Sequence, residues 1–259
     1  MAKAKWVAFP HPAKEFSYPG EALKKNWDRL HRGDREPFPK DPEVQEAWRQ
    51  YHQGNFAEAH ALGLAAGGAG VVAAIKAQAI YANSLETREA TRLAFFEEAM
   101  NRAEELAKKE PKCVNAHYLF AYAAGRYSQR ISVAKALAQG FGGRIKAALE
   151  AALKLEPRHA DAHIAMGTYH AEIIDKVGAL VGRLTYGASR EAGEEHFRQA
   201  IKLAPDSPIA LVEQANGLVL MHGKKALAEV GKLYARAAAM KPRDAMEKLD
   251  VEMARAELA

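Results

Sequence analysis

Residues 110–125 read EPKCVNAHYLFAYAAG, and residues 156–171 read EPRHADAHIAMGTYHA. The shared frame is Glu-Pro, four residues, then Ala-His, and its two copies start 46 residues apart. Self-similarity at a fixed spacing is the mark of stacked supersecondary units, each burying an apolar face on its neighbour. Histidines placed in register by such a repeat also raise a second reading, a metal or proton site.

Working outward, Pro111, Pro157, Pro205 and Pro242 each follow an amphipathic run with one internal spacing. Ala99, Ala103 and Leu106 precede Pro111; Ile145, Leu149 and Ala152 precede Pro157. Gly193, Phe197 and Ala200 precede Pro205; Val230, Tyr234 and Ala237 precede Pro242. Offsets of four and three put each trio on one helical face, and proline stops the helix because it lacks the N–H that the next turn needs. Alanine dominates the apolar residues, so helices can approach closely. No alternating β-branched run bounded by turn residues occurs, so the expected fold class is all-α.

This register resembles the tetratricopeptide repeat (TPR), whose second helix carries a small residue, an aromatic, a small residue and then proline. His163, Met166, Gly167 and His170 take the first-helix places of its Trp, Leu, Gly and Tyr. Earlier in the chain, Gly54, Phe56 and Ala59 match a turn and second-helix start, and Ala74, Ala77 and Tyr81 match the next first helix. The resemblance spans about Pro42 to Pro242 and implies a right-handed TPR-like α-solenoid of helix pairs. The proline spacings of 46, 48 and 37 residues exceed the usual period of about 34, so the central repeats carry extended inter-helix insertions. These fall in RYSQRISVAKALAQGFGGR (126–144) and EIIDKVGALVGRLTYGASR (172–190). That layout, with the ending KPRDAMEKLDVEMARAEL, is similar to the TPR-like domain of the regulator of microtubule dynamics family and its bacterial relatives. No motif in this chain encodes a microtubule link.

Two segments follow: residues 1–41, an arm rich in proline and aromatics with one short helix near 20–32, and residues 42–259, the TPR-like helical repeat domain ending in a helix over 244–258. The arm either packs on its own protein or serves a partner or a swapped dimer. The start MAKAKWVAFPHPAKEF lacks the apolar core of a signal peptide. The least polar run, ALGLAAGGAGVVAAI (61–75), is shorter than the ~20 residues of a membrane helix and contains a Gly-Gly break, predicting helix, turn, helix and no membrane insertion. One cysteine, Cys113, excludes an internal disulfide framework and fits a reducing, cytoplasmic setting.

The function implied by the resemblance is non-enzymatic: a protein–protein interaction scaffold or adaptor holding a peptide or partner subunit in a concave groove. Asn115, Tyr118, Tyr122 and Arg126 follow offsets of three, four and four on a first helix, with Arg130 one turn on. Asp161, Thr168 and Glu172 are equivalent positions of the next repeat, and Asn216 belongs to the one after. The resemblance places this face on the groove, and Tyr and Arg often carry interface energy. The chaperone-tail clamp of some relatives needs Lys and Asn where Tyr118 and Tyr122 stand, which argues against that partner class. No acidic residue occurs between Pro111 and Leu149, against six cations, favouring an acidic peptide. The acidic residues of the following repeat disfavour nucleic acid.

The alternatives are a small-ligand or metal-binding protein using His117, His163 and His170, and a self-assembling structural subunit or homo-oligomer. No Glu stands three residues before these histidines, so the di-metal helix motif is missing. QGFGGR (139–144) lacks the Lys-Ser/Thr of a phosphate loop and reads as turn glycines. No nucleophile motif is present and no cofactor is implied.

Overall fold

The computed structural model describes residues 6–259; the first five residues of the arm, with the basic start of the sequence, lie outside. Fourteen α-helices and no strand occur among the described residues. After a short 3₁₀ turn come α1 (Ala22–Leu30), α2 (Pro42–Gln53), α3 (Phe56–Ala66), α4 (Gly70–Ser84), α5 (Glu89–Lys109), α6 (Val114–Ser128) and α7 (Val133–Ala138). Then follow α8 (Phe141–Leu155), α9 (Ala160–Val177), α10 (Ala179–Val181) running into a π-helical turn (Gly182–Tyr186), α11 (Arg190–Leu203), α12 (Pro208–His222), α13 (Leu227–Ala238) and α14 (Ala245–Ala256). By contact the chain forms two compact units. The first holds residues up to His31, Glu36–Arg130 and Arg243–Met246; the second holds Arg32–Arg35, Ile131–Pro242 and Glu247–Ala259.

Helix boundaries follow local chemistry. The Asp41 carboxylate accepts from the Glu43 N–H at 2.8 Å with Pro42 in the first turn of α2, and Gly54 at φ +88° ends that helix. Ser189 caps α11 by accepting from the Ala192 N–H at 3.1 Å, and His159 Nδ1 caps α9 by accepting from the Ala162 N–H at 3.0 Å. The apolar run 61–75 is the end of α3, a glycine turn and the start of α4, and no described helix is long and apolar enough to cross a membrane. Gly63 and Gly70 meet where those two helices touch: a Cβ on Gly63 would lie 2.5 Å from the Gly70 carbonyl oxygen.

In the first unit α2–α3, α4–α5 and α6 pack in sequence, with the arm against them. Trp6 lies 4.3 Å from the Tyr81 ring, and the Val7 N–H donates to the Tyr81 hydroxyl at 2.8 Å. Trp27 stacks on His31 at 3.9 Å and donates Nε1–H to the Glu36 carbonyl at 2.7 Å. Around Trp27 and Trp48 runs a buried polar chain: Asp244 Oδ2 to His52 Nδ1 at 2.9 Å, then His52 Nε2 to His31 Nε2 at 3.2 Å. The Asp244 acceptor fixes the His52 tautomer and ties residues 243–246 to α2.

In the second unit the pairs are α8 with α9, α9 with α11 and α12 with α13. Phe197 of α11 is fully buried between two glycines. A Cβ on Gly167 of α9 would meet its ring at 2.8 Å, and one on Gly217 of α12 would meet it at 2.5 Å. Gly193, Phe197 and Ala200 thus form the inward face of α11, as the TPR-like spacing predicts. The other three trios are buried as well. Both insertions fold as short helices: α7, closed by Gly140 at φ +66°, and α10 with its π turn, closed by Gly187 at φ +66°.

Candidate functional site

The opening histidines solve a local problem. His117 Nε2 lies 2.9 Å from the Pro111 carbonyl oxygen, and His163 Nε2 lies 3.1 Å from that of Pro157. Each imidazole donates Nε2–H back across the turn to a carbonyl at the end of the previous repeat. The repeated phrase is therefore a helix-entry lock: proline ends one repeat, and the histidine six residues on holds the turn that starts the next.

Five of the nine predicted partner-facing residues lie in the first unit. Tyr118 and Tyr122 sit one turn apart on α6 with ring centroids 6.2 Å apart, and the Arg126 guanidinium lies 5.4 Å from the Tyr122 ring. Arg126 also donates to Gln129 Oε1 at 3.3 Å, while Arg130 pairs with Glu89 at 3.4 Å. Tyr122 and Arg126 are half-buried, Tyr118 is nearly covered, and Arg130 is exposed. Asn115 is buried, and its amide donates to Glu36 Oε2 of the arm at 2.6 Å. The face brought together is thus a Tyr118–Tyr122–Arg126 ladder, with Asn115, one turn before it, already engaged by the arm.

The other four residues lie in the second unit. The Asp161 N–H donates to the Gly33 carbonyl at 3.1 Å, so residues 32–35 cover the start of α9. Thr168 donates to Glu213 Oε2 at 3.1 Å, and Asn216 Oδ1 accepts from the Tyr234 hydroxyl at 2.5 Å. Glu172 pairs with Lys176 one turn on, at 2.7 Å. These residues form polar rows along α9 and α12 rather than one cluster. Sequence reasoning missed Glu36 and Glu213. Glu36 sits in the arm without helical register; Glu213 had a signal, a lone carboxylate in the apolar run PIALVEQANGLVLM.

His163 and His170 meet a partner the sequence did not point to, His196 of α11. His163 Nδ1 and His196 Nδ1 are 2.9 Å apart, and the His170 and His196 rings stack at 5.8 Å. Because His163 gives Nε2–H to Pro157, its Nδ1 is the acceptor and His196 Nδ1–H the donor. Burial lowers the pKa of all three, taking His170 and His196 to about 4; Lys146 adds to the effect at His170, and His163 and His170 add to it at His196. Among the described residues no group of three or more His, Cys, Asp or Glu side chains is arranged to hold a metal ion. Burial pushes the Cys113 thiol up to about 11, the wrong direction for a nucleophile at neutral pH.

Paired helices whose buried trios share one spacing before proline, with the small–aromatic–small form in α11, define a TPR-like helical-repeat protein. Within that class, the chain belongs to the family described as regulator of microtubule dynamics protein 1-3, whose model matches residues 72–206, from α4 to just beyond α11. The fold is similar to that of TTC0263, described as a thermophilic TPR protein in Thermus thermophilus. The TM-score is 0.58 at 18% identity, covering 83% of this chain and 97% of that one. No curated protein matches.

Proposed function

We propose that this chain is a non-enzymatic scaffold or adaptor that binds a protein or acidic peptide through the half-buried Tyr122–Arg126 face of α6, in a reducing, cytoplasmic setting. Residues 42–259 are its repeat domain and residues 1–41 its arm. The observation that carries the reading is the Tyr122–Arg126 pair, with the guanidinium 5.4 Å from the ring. The two side chains stiffen each other, so little rotamer entropy remains to be lost on binding, and both are residue types enriched at interface hot spots. Family and fold support protein recognition as the class of activity; the partner's chemistry rests on the cationic, acid-free sequence around this face.

The test is affinity purification from the native host with the wild type and with Tyr122→Ala/Arg126→Ala. Both positions are half-buried on one helix, so the variant is expected to keep its helical circular dichroism. A protein retained by the wild type and lost from the variant supports the reading. Identical retention by both moves the interface elsewhere.

A further inference from the structure

The arm is held to the first unit in two different ways. Its helix α1 is part of the core, with Leu23 and Trp27 only 1% and 4% exposed. The segment of residues 6–12 is instead laid on the surface: Val7 is 56% exposed, and Ala8, Pro10 and Pro12 are exposed as well. Among the described residues this segment makes one hydrogen bond, from the Val7 N–H to the Tyr81 hydroxyl at 2.8 Å. Its other anchors are two half-buried rings, Trp6 and Phe9.

Each ring has a shaped seat. Trp6 lies against one ring from each of three helices: His60 of α3 at 5.4 Å, Tyr81 of α4 at 4.3 Å and Phe95 of α5 at 5.1 Å between centroids. His60 is fixed in turn by donating Nδ1–H to the Ala74 carbonyl at 3.0 Å, and Tyr81 packs edge-on to Phe95 at 5.8 Å. Phe9 stands edge-on to Phe56 at 6.3 Å and covers Gly54, where a Cβ would lie 2.7 Å from its Cγ. The occupant is stiff, because Pro10 and Pro12 fix their own φ and hold Phe9 and His11 to extended backbone. Little conformational entropy is therefore lost when it is seated.

A stiff, proline-containing segment held by two rings and one hydrogen bond in an aromatic-lined groove is the geometry of a bound peptide. From it we propose that the cradle of His60, Tyr81 and Phe95, with Gly54 and Phe56 beside it, is a binding site for an extended segment of a protein partner carrying Trp and Phe three residues apart. Residues 6–12 are its resident occupant. The spacing is part of the recognition: an extended chain advances about 3.3 Å per residue, so the two rings are delivered to seats about 10 Å apart. A partner segment competes with the resident one, and its apparent affinity is the intrinsic affinity reduced by the fraction of molecules whose cradle is vacant. Release of residues 6–12 leaves the core intact, since Leu23 and Trp27 stay buried with α1. The cradle is separate from the α6 face, and each site stands or falls without the other.

The test uses the full-length protein and an acetylated peptide of residues 6–13, WVAFPHPA, with fluorotryptophan at its first position, titrated by fluorine NMR. The wild type is compared with Trp6→Ala/Phe9→Ala, which vacates the cradle, and with Val7→Pro, which removes only the N–H that bonds Tyr81. The expected result is binding to Trp6→Ala/Phe9→Ala about tenfold tighter than to the wild type, with Val7→Pro between them. Adding Tyr81→Phe to the vacated variant should weaken binding about fivefold by removing the hydroxyl acceptor, and a peptide of the same composition with its two rings adjacent should not bind. Val7→Pro keeps both rings, so it carries the test if the double variant loses its helical circular dichroism. The inference is overturned if neither variant binds the peptide more tightly than the wild type does, or if the rearranged peptide binds equally. It is also overturned if the wild type forms a dimer in light scattering that Trp6→Ala/Phe9→Ala abolishes, a result that assigns the cradle to the arm of a second copy.

Discussion

Phe197 and Leu184 are both large apolar side chains of the second unit, 13 residues apart, and they have opposite fates. Phe197 is fully buried against two glycines, whereas Leu184 is three-quarters exposed at the end of an insertion. The difference lies in how repetition constrains a chain. A residue in the repeat register must fit both neighbouring helices, so its size is set by what they present. Leu184, in an insertion outside that register, is held to no such fit, and its side chain stays in water.

Substitutions can break that comparison, and their effects should fall in order. Phe197→Ala removes a ring wedged between α9 and α12 and should cost about 3–5 kcal/mol, read as a shift in the urea midpoint. Gly217→Ala, whose new methyl would meet the same ring, should cost about 1–3 kcal/mol, because the ring has no free volume to move into. If Gly217→Ala proves neutral, Phe197 is not locked as described.

A smaller, pH-dependent effect should come from the histidine trio. The folded state holds His170 and His196 at about 4, below an ordinary imidazole near 6.5. Between those values the unfolded chain binds more protons, so stability is complete above about pH 6.5 and declines as pH falls towards 4. The groups facing the trio are Lys146, Glu195 and the Ser189 N–H. His196→Gln should flatten the fall in midpoint temperature over that window relative to wild type, and an unchanged slope would remove the trio from the account. Smallest of all, Leu180→Ser/Leu184→Ser should change stability by no more than about 0.5 kcal/mol, since both side chains are already in water.

The repeat body was legible because its signal is periodic. Val230, Tyr234 and Ala237 lie four and three residues apart before Pro242, and burial of that trio follows from helix geometry. The arm helix near 20–32 could be read from its flanks and forms as α1. Other features were not legible, for physical reasons. Nothing local announces that Asn115 donates to Glu36, 79 residues away, because the contact depends on the course of a non-helical segment. His196 was hidden behind Phe197, whose register drew the reading. His117 and His163 stand at positions where the repeat places a large packing residue, yet their bond to the proline carbonyl needs the three-dimensional course of the turn.

The central claim is that the Tyr122–Arg126 face of α6 meets a protein partner. Its most direct test is to place the photo-crosslinking residue benzoylphenylalanine at position 122 and, as an exposed control, at position 229 of α13, and irradiate living host cells. The account predicts a discrete protein adduct from position 122 that is reduced by Arg126→Ala and does not form from position 229. No adduct at 122, or the same adducts from both positions, would contradict it.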